Sequence, residues 1–342
     1  MPTAVLTTGH LNRALLARQL LLERSTMTAR DAIEQVGGMQ TQYAPSGYVG
    51  LWTRLAGFRR ATLTHALEDR SVIQATLLRT TIHTVSAREY WLYAMAVRRA
   101  RQESAARARA MPVAAELQAR SNALRTALAD GPKTVKELGA LGRGFIGNLG
   151  LFVDLVRVPP SGTLERRRAD RLALAEDWVG PPDVTEADGL AHVVRAYLRA
   201  FGPAPWRDIA AWAGIPVGDA RRGGEGLILE HYRDEAGGEL VDLPGAPIPD
   251  PKAPVPVRFL AHWDNAILVH ARRSGLLAEL HRPRIFNIKN PFSLGTVLVD
   301  GRVVAGWSYR EERIHLEWYE DVASQDARAV ETEREALEAF HA

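Results

Sequence analysis

One stretch occurs twice in this chain and constrains its fold more than any other feature. Leu128-Ala-Asp-Gly131-Pro132-Lys-Thr-Val-Lys136-Glu137-Leu138 aligns with Arg199-Ala-Phe-Gly202-Pro203-Ala-Pro-Trp-Arg207-Asp208-Ile209, 71 residues later. In both copies an amphipathic helix runs to a Gly-Pro stop, and a short helix opens behind a cap or a first-turn proline. After the second copy comes a hairpin: residues 227–233, a Gly237-Gly238 turn, then 239–243. Helices followed by a β-hairpin are the layout of a winged helix. Two copies in series predict an α+β chain of tandem winged-helix modules with hairpin wings.

At 342 residues the chain exceeds one ordinary domain of roughly 150 residues. Length alone suggests two or three domains. The first 25 residues read as a helix with Leu11, Leu15 and Leu22 on one face. Thr28-x-x-Asp31 predicts the cap of a second helix that stops at Gly37-Gly38. A third segment, 48–55, follows Pro45. β-Branched residues in 72–85 predict strands, and 88–109 reads as a helix with Trp91, Ala94 and Met95 inward. Six prolines make 244–257 an extended linker. Beyond it, 297–304 is a hairpin around Asp300-Gly301, and Ile314, Leu316 and Trp318 alternate as a strand. Residues 331–341 close the chain as a helix with an acidic face.

Composition removes several chemistries. There is no cysteine, which excludes disulfides, thiolate metal sites, thiol nucleophiles and iron–sulfur clusters. Four of the 43 basic residues are lysines (Lys133, Lys136, Lys252, Lys289), so few groups can form a Schiff base. The others are arginines, whose flat fork suits bidentate phosphate contact, although a GC-rich genome gives the same bias. The ten histidines are scattered, with no His-Glu-x-x-His and no Gly-x-Ser-x-Gly elbow. His262-Trp-Asp264 is the nearest approach to metal-ligand spacing, and no metal is expected. Gly142-Arg-Gly144-Phe-Ile-Gly147 spells the dinucleotide pattern, yet a short helical stretch precedes it instead of a strand. Arginines 166–168 also surround the place of the ribose-binding acid, so the stretch reads as a loop and no cofactor is expected. No run approaches ~18 apolar residues, and His10, Asn12, Arg13 and Arg18 break the apolar centre of a signal peptide. The expected location is the cytoplasm.

The unusual segment is Gly37-Gly38-Met39-Gln40-Thr41-Gln42-Tyr43-Ala44-Pro45. In an extended backbone Gln40 and Gln42 point the same way and can share a small target such as a water molecule. The competing role is structural, with the two amides capping or bridging nearby backbone.

This segment resembles the Gln-x-Gln motif of the AlkZ/YcaQ family of winged-helix DNA glycosylases. Leu78-Arg79-Thr80-Thr81-Ile82-His83 is similar to the family's Leu-Arg-Gly-Thr-x-His stretch, with Thr80 where the family often has glycine. Trp263-Asp264-Asn265-Ala-Ile-Leu268 and Val299-Asp300-Gly301-Arg302-Val303-Val304-Ala-Gly306-Trp307 also fit, in collinear order over essentially the whole chain. Gln42 resembles the antibiotic-producer branch, since YcaQ-like members tend to carry Gln-x-Asp. The resemblance implies three tandem winged helices, at 1–110, 111–190 and 191–342 (the last ending in a β-meander and a helix), in a C-shape around duplex DNA, with Gln40 and Gln42 facing the damaged nucleotide. It also implies removal of N7-alkylated guanines and unhooking of azinomycin-type interstrand crosslinks.

Elementary chemistry is compatible with that. An N7-alkylated guanine is cationic and already a good leaving group, so the enzyme mainly positions water and stabilises an oxocarbenium-like sugar. Neutral amides are poor bases, which favours cationic lesions, and a glutamine centre has no amine for a lyase step. Monofunctional hydrolysis is the expectation. Supporting roles fall to His83, Asp264 and Asn265, for each of which buried structural hydrogen bonding is an equal reading. Phosphate contacts are expected from Arg54, Arg59, Arg60, Arg79, Arg282, Arg284 and Lys289. The stretch from Arg282 to Pro291 reads as a groove-probing loop or an ordinary exposed one. The expected partner is damaged double-stranded DNA, with the protein on the nucleoid when bound to it, no membrane and no obligate protein partner, the protein acting as a monomer. Two other classes stay open: a transcription regulator using its winged helices without catalysis, and a protein that sequesters a genotoxic drug.

Overall fold

The computed structural model describes residues 4–108, 114–141, 149–268, 275–287 and 292–342. Its architecture is α+β, and among these residues the strands assemble into four sheets. The largest runs in the order Met39–Gln40, Ile82–Ser86, Val72–Thr76, Leu155–Arg157, Arg171–Leu174, Lys133–Thr134, every neighbour antiparallel. Its centre is built from the β-branched runs around Val72 and Ile82, whose side chains suit a pleated surface. Strands on both sides of residue 110 therefore share one hydrogen-bond ladder.

The second copy of the repeat gives three helices, Glu186–Phe201, Trp206–Ala213 and Val217–Gly224, followed by the hairpin Glu230–Asp234 and Glu239–Asp242. The first copy follows the same course: helix Ala114–Leu128 ends before Gly131-Pro132, and Lys133–Thr134 then joins the edge of the large sheet, as Ala204 bridges Val241 in the second copy. A reciprocal cap follows it: Thr134 N donates to Glu137 Oε2 at 2.6 Å, and Glu137 N to Thr134 Oγ1 at 3.2 Å. The glycine-rich stretch from Gly142 to Gly147 lies outside the described residues.

The N-terminus also departs from the sequence reading. Val5–Leu6 is a strand, parallel to Glu230–Asp234, and Thr7 then caps helix Thr8–Arg18 in a box with His10. An apolar pair that includes β-branched Val5, with an edge strand to join, outweighs the helical periodicity there. Arg18 fixes this helix to its surroundings. Its guanidinium meets Asp242 at 2.7 Å on both oxygens and donates to Leu198 O at 2.8 Å, fully buried.

Helices Ala87–Ala108 and Glu186–Phe201 cross closely at Gly189, where a Cβ would stand 2.6 Å from both Ala96 N and Leu92 O. Tyr90, Tyr93, Val97, Val194, Tyr197, Phe201 and Trp212 fill the surrounding core, each buried side chain contributing roughly 1.5–3 kcal/mol. The remaining large sheet, Arg258–Leu260, Gly295–Val299, Arg302–Arg310, Arg313–Trp318, turns at Asp300 and Gly301, both left-handed (φ 44° and 72°). Helix Ser324–His341 covers it through Val330 and Leu337, while Val49 and Trp52 of helix Pro45–Trp52 join the same cluster. Among the described residues no helix is long and apolar enough to cross a membrane.

Candidate active site

The glutamine segment is placed by a helix stop. Helix Ala29–Gln35 opens on Thr28, whose side chain accepts from Asp31 N, as its sequence predicts. It ends in a double left-handed turn, Gly37 (φ 78°) and Gly38 (φ 77°). Gly38 N donates to Ile33 O at 2.8 Å and Gly37 N to Glu34 O at 3.1 Å, the paired bonds of a Schellman motif that side chains at these φ values would strain. The chain leaves as strand Met39–Gln40 against Ile82–Ser86, with Gln40 opposite His83. Thr41 N extends the ladder to Ile82 O at 2.9 Å, and its hydroxyl pairs with Thr84 Oγ1 at 2.9 Å.

Gln40 and Gln42 have different surroundings. Gln40 is buried, 6% exposed, whereas Gln42 is exposed where the chain bends out of the strand toward helix Pro45–Trp52. Arg79 Nη2 donates to Gln40 Oε1 at 3.1 Å, and Arg79 Nη1 to Trp212 O. A guanidinium only donates, so the Gln40 amide oxygen is the atom facing Arg79. One Oε1 lone pair and both Nε2 hydrogens remain for other partners. Burial lowers the Arg79 pKa to about 10, so it is still a cation at neutral pH. The turn that presents it is strained, with Arg79 at φ 51° and Thr80 at φ 61°. Thr80 thus sits in the left-handed conformation that glycine adopts freely.

His83 shares the Gln40 face as its cross-strand partner. Burial first, then the Arg79 charge, brings its pKa down to about 3, so the ring is neutral. His83 Nδ1 lies 3.1 Å from Thr81 O. A carbonyl only accepts, so Nδ1 carries the hydrogen and Nε2 is the acceptor.

Met39, Gln40, Ser46, Arg54, Ala261, His262, Trp263, Asp264 and Asn265 enclose a cavity of about 10 Å³, close to the ~10–15 Å³ a single water needs. Ser46 Oγ is buried with no hydrogen-bond partner among the described residues. His262 packs edge-on against Tyr43 and Trp307, each at 5.2 Å. Burial and His341 bring the His262 pKa down to about 4. Asp264 is the one carboxylate lining this cavity, and both its oxygens take Arg54: Nη1 to Oδ2 and Nη2 to Oδ1, each 2.8 Å. Asn265 Nδ2 donates to Gly38 O and, at 3.4 Å, to Val36 O. The fold therefore brings Gln40, Arg54, Arg79, His83, Asp264 and Asn265 together, and among them Arg54, Asp264 and Asn265 hold the backbone in place.

For the expected phosphate contacts the outcome is mixed. Arg54 is corrected: with 1% of its side chain exposed and a bidentate pair to Asp264, its guanidinium has no route to a phosphate. Arg79 is turned inward to Gln40 and Trp212. Arg60 donates to Phe340 O at 2.7 Å and stacks on its ring. Arg284 pairs with Glu317 at 2.7 Å over Tyr319. Arg59 and Arg282 are exposed, and Lys289 lies outside the described residues. Around it, Phe286–Asn287 pairs with Phe292–Ser293. Sequence reasoning missed Gln19, Tyr43, Ser46 and the packing of His262. Gln19 accepts from Arg54 at 3.3 Å and donates to Ala200 O at 2.9 Å. Nothing local in the sequence marks these residues. Among the described residues no three His, Asp or Glu side chains gather as a metal site.

Comparison with known proteins identifies the family. A model of the family "DNA glycosylase AlkZ-like" matches residues 33–340. No curated protein sequence matches the chain. Among solved structures, the DNA glycosylase AlkZ of Streptomyces sahachiroi has the same fold, with a TM-score of 0.78 at 18% identity over 96% of this chain and 95% of that one. With the family model running through the glutamine segment and almost to the last residue, this protein belongs to the AlkZ-like family of DNA glycosylases.

Proposed function

We propose that this glycosylase hydrolyses the N-glycosidic bond of cationic N7-alkylguanine in duplex DNA and unhooks azinomycin-type interstrand crosslinks. One observation carries the reading: among the described residues the centre around Gln40 holds no group able to protonate a departing base, and its neutral histidines, His83 and His262, with pKa values lowered to about 3 and 4, are weak bases. Its carboxylate, Asp264, is taken by Arg54. Such a site suits a substrate whose leaving group is already activated by positive charge.

In this mechanism Gln40 and Gln42 are the catalytic residues. Gln40, oriented by Arg79, accepts from a water through its second lone pair, and exposed Gln42 meets the nucleotide from the strand end. His83 supports the water through Nε2. Asp264 and Asn265 act by holding the Gly37-Gly38 stop and the Arg54 pair. Water attacks C1′ as the C1′–N9 bond breaks, and its proton passes to solvent while the base departs neutral. The three described lysines line no part of the cavity, in keeping with a monofunctional enzyme. We further propose that 1–110, 111–190 and 191–342 act as three winged-helix units around the duplex, in a C-shape and as a monomer, with Arg59, Arg282, Arg284 and Lys289 toward phosphates.

Incubation with azinomycin-crosslinked duplex followed by alkaline cleavage tests this. Separated strands carrying alkali-labile abasic sites, with no strand break before alkali, are expected. Breaks before alkali contradict the monofunctional step, and intact crosslinks contradict unhooking.

A further inference from the structure

The hairpin between strands Leu155–Arg157 and Arg171–Leu174 carries Arg166, Arg167 and Arg168 in succession, all exposed. Its backbone is held by a network unusual for a loop tip. Buried Ser161 Oγ donates to Arg168 O at 2.6 Å and accepts from Asp170 N at 2.7 Å and Arg171 N at 3.0 Å. Gly162 N donates to Arg166 O at 2.8 Å, and Gly162 O accepts from buried Gln74 Nε2 at 3.1 Å. Thr163 Oγ1 accepts from Arg166 N at 3.2 Å. The arginines are thus mounted on a fixed frame.

That frame stands beside the glutamine segment. Leu164 packs on the cluster of Ile33, Met39, Tyr48 and Leu63, and Tyr48 belongs to the helix that begins just after Gln42. On the other side, Arg60 and Arg167 both act electrostatically on His341. His341 stacks on Tyr309 at 4.2 Å. From His341 a row of rings leads through Trp307 and His262 to Tyr43, next to Gln42. The acids of the tip are Glu165 and Asp170. Asp170 meets Arg168 at 3.1 Å and Arg166 at 3.8 Å. Arg168 is 82% exposed on its side chain, and such exposed pairs are weak enough to exchange for a phosphate.

We propose that the Arg166–Arg168 tip is an anchoring surface for the phosphodiester backbone of duplex DNA beside the Gln40–Gln42 segment. It rests on the reading of that segment as the glycosylase centre. Being held through backbone and phosphate alone, the duplex is gripped without regard to sequence.

The test is the salt dependence of binding to an undamaged duplex. Each phosphate neutralised contributes ~0.9 to the slope of log K against log salt. The variant Arg166→Ala/Arg167→Ala/Arg168→Ala is expected to flatten that slope by about 2–3, and a triple lysine variant to restore most of it. A slope and affinity equal to wild type overturn the proposal. Thermal unfolding of the alanine variant at the wild-type temperature shows that the Ser161 frame is intact; an altered frame shifts the test to the single variant Arg167→Ala, expected to flatten the slope by about 1. A flattened slope in a protein that releases no alkylated base upholds the surface and removes the base-excision reading instead.

Discussion

Arg79→Met tests how the candidate centre is built. Arg79 donates to two acceptors, Gln40 Oε1 and Trp212 O. Methionine keeps the unbranched apolar stem and removes both bonds. Hydrogen bonds from a charged donor contribute about 1.5–3 kcal/mol each, partly offset here because a buried cation no longer has to be desolvated. A net destabilisation of about 1–3 kcal/mol follows. For activity, the Gln40 amide loses the donor that fixes its oxygen and gains a second orientation. Misplacing a positioning group by about 1 Å costs on the order of 100-fold, so single-turnover base release should fall about 10–100-fold. The assay is release of 7-methylguanine from methylated duplex at saturating enzyme, with urea unfolding in parallel. Combining the change with Gln40→Ala supplies the refutation. If Arg79 acts through Gln40, the double variant is no slower than Gln40→Ala alone. Fully additive losses, or an Arg79→Met enzyme within threefold of wild type, refute the reasoning.

Other expectations follow from the same geometry. Thr80→Gly should stabilise the fold by about 0.5–1 kcal/mol, because the left-handed turn no longer strains a β-branched residue; a lower urea midpoint would count against it. Asp264→Asn should cost about 3–5 kcal/mol by leaving the Arg54 guanidinium buried and unpaired. If Arg54→Met instead left stability unchanged and flattened the salt slope of DNA binding, Arg54 would be a phosphate contact after all. His83, His192, His262 and His341 have pKa values lowered to about 3, 3, 4 and 4 by burial, below the ~6.5 of an unfolded chain. The unfolded state therefore binds more protons between those limits. Stability should be complete above about pH 6.5 and fall as pH drops toward 4, more steeply than the ~1.4 kcal/mol per pH unit of one proton. A flat urea midpoint from pH 6.5 to 5 would contradict the neutral, buried rings.

What the sequence discloses here is what short stretches determine. Thr28 with Asp31, Gly37-Gly38 and Asp300-Gly301 specify their cap, stop and turn because the partners lie within a few residues. The Gln40–Gln42 segment stands out for a similar reason, being held between a glycine stop and Pro45. The support of the site is illegible in the same terms. Arg54 finds Asp264 across 210 residues and Arg79 finds Gln40 across 39. Nothing beside Arg54 distinguishes an arginine bound for the interior from one bound for a phosphate. The strand at Lys133–Thr134 was hidden likewise, since its partner Arg171–Leu174 lies far along the chain. Conversely, the arginines at 166–168 became informative only once Ser161 and Gln74 were seen to hold their loop.

The most direct measurement is the rate of 7-methylguanine release from methylated duplex DNA by wild type and by Gln40→Ala/Gln42→Ala, with binding to the same duplex measured alongside. Rapid release by wild type, with a double variant that binds the duplex yet releases little base, is the predicted result. A double variant that releases base at the wild-type rate would contradict the assignment of the centre.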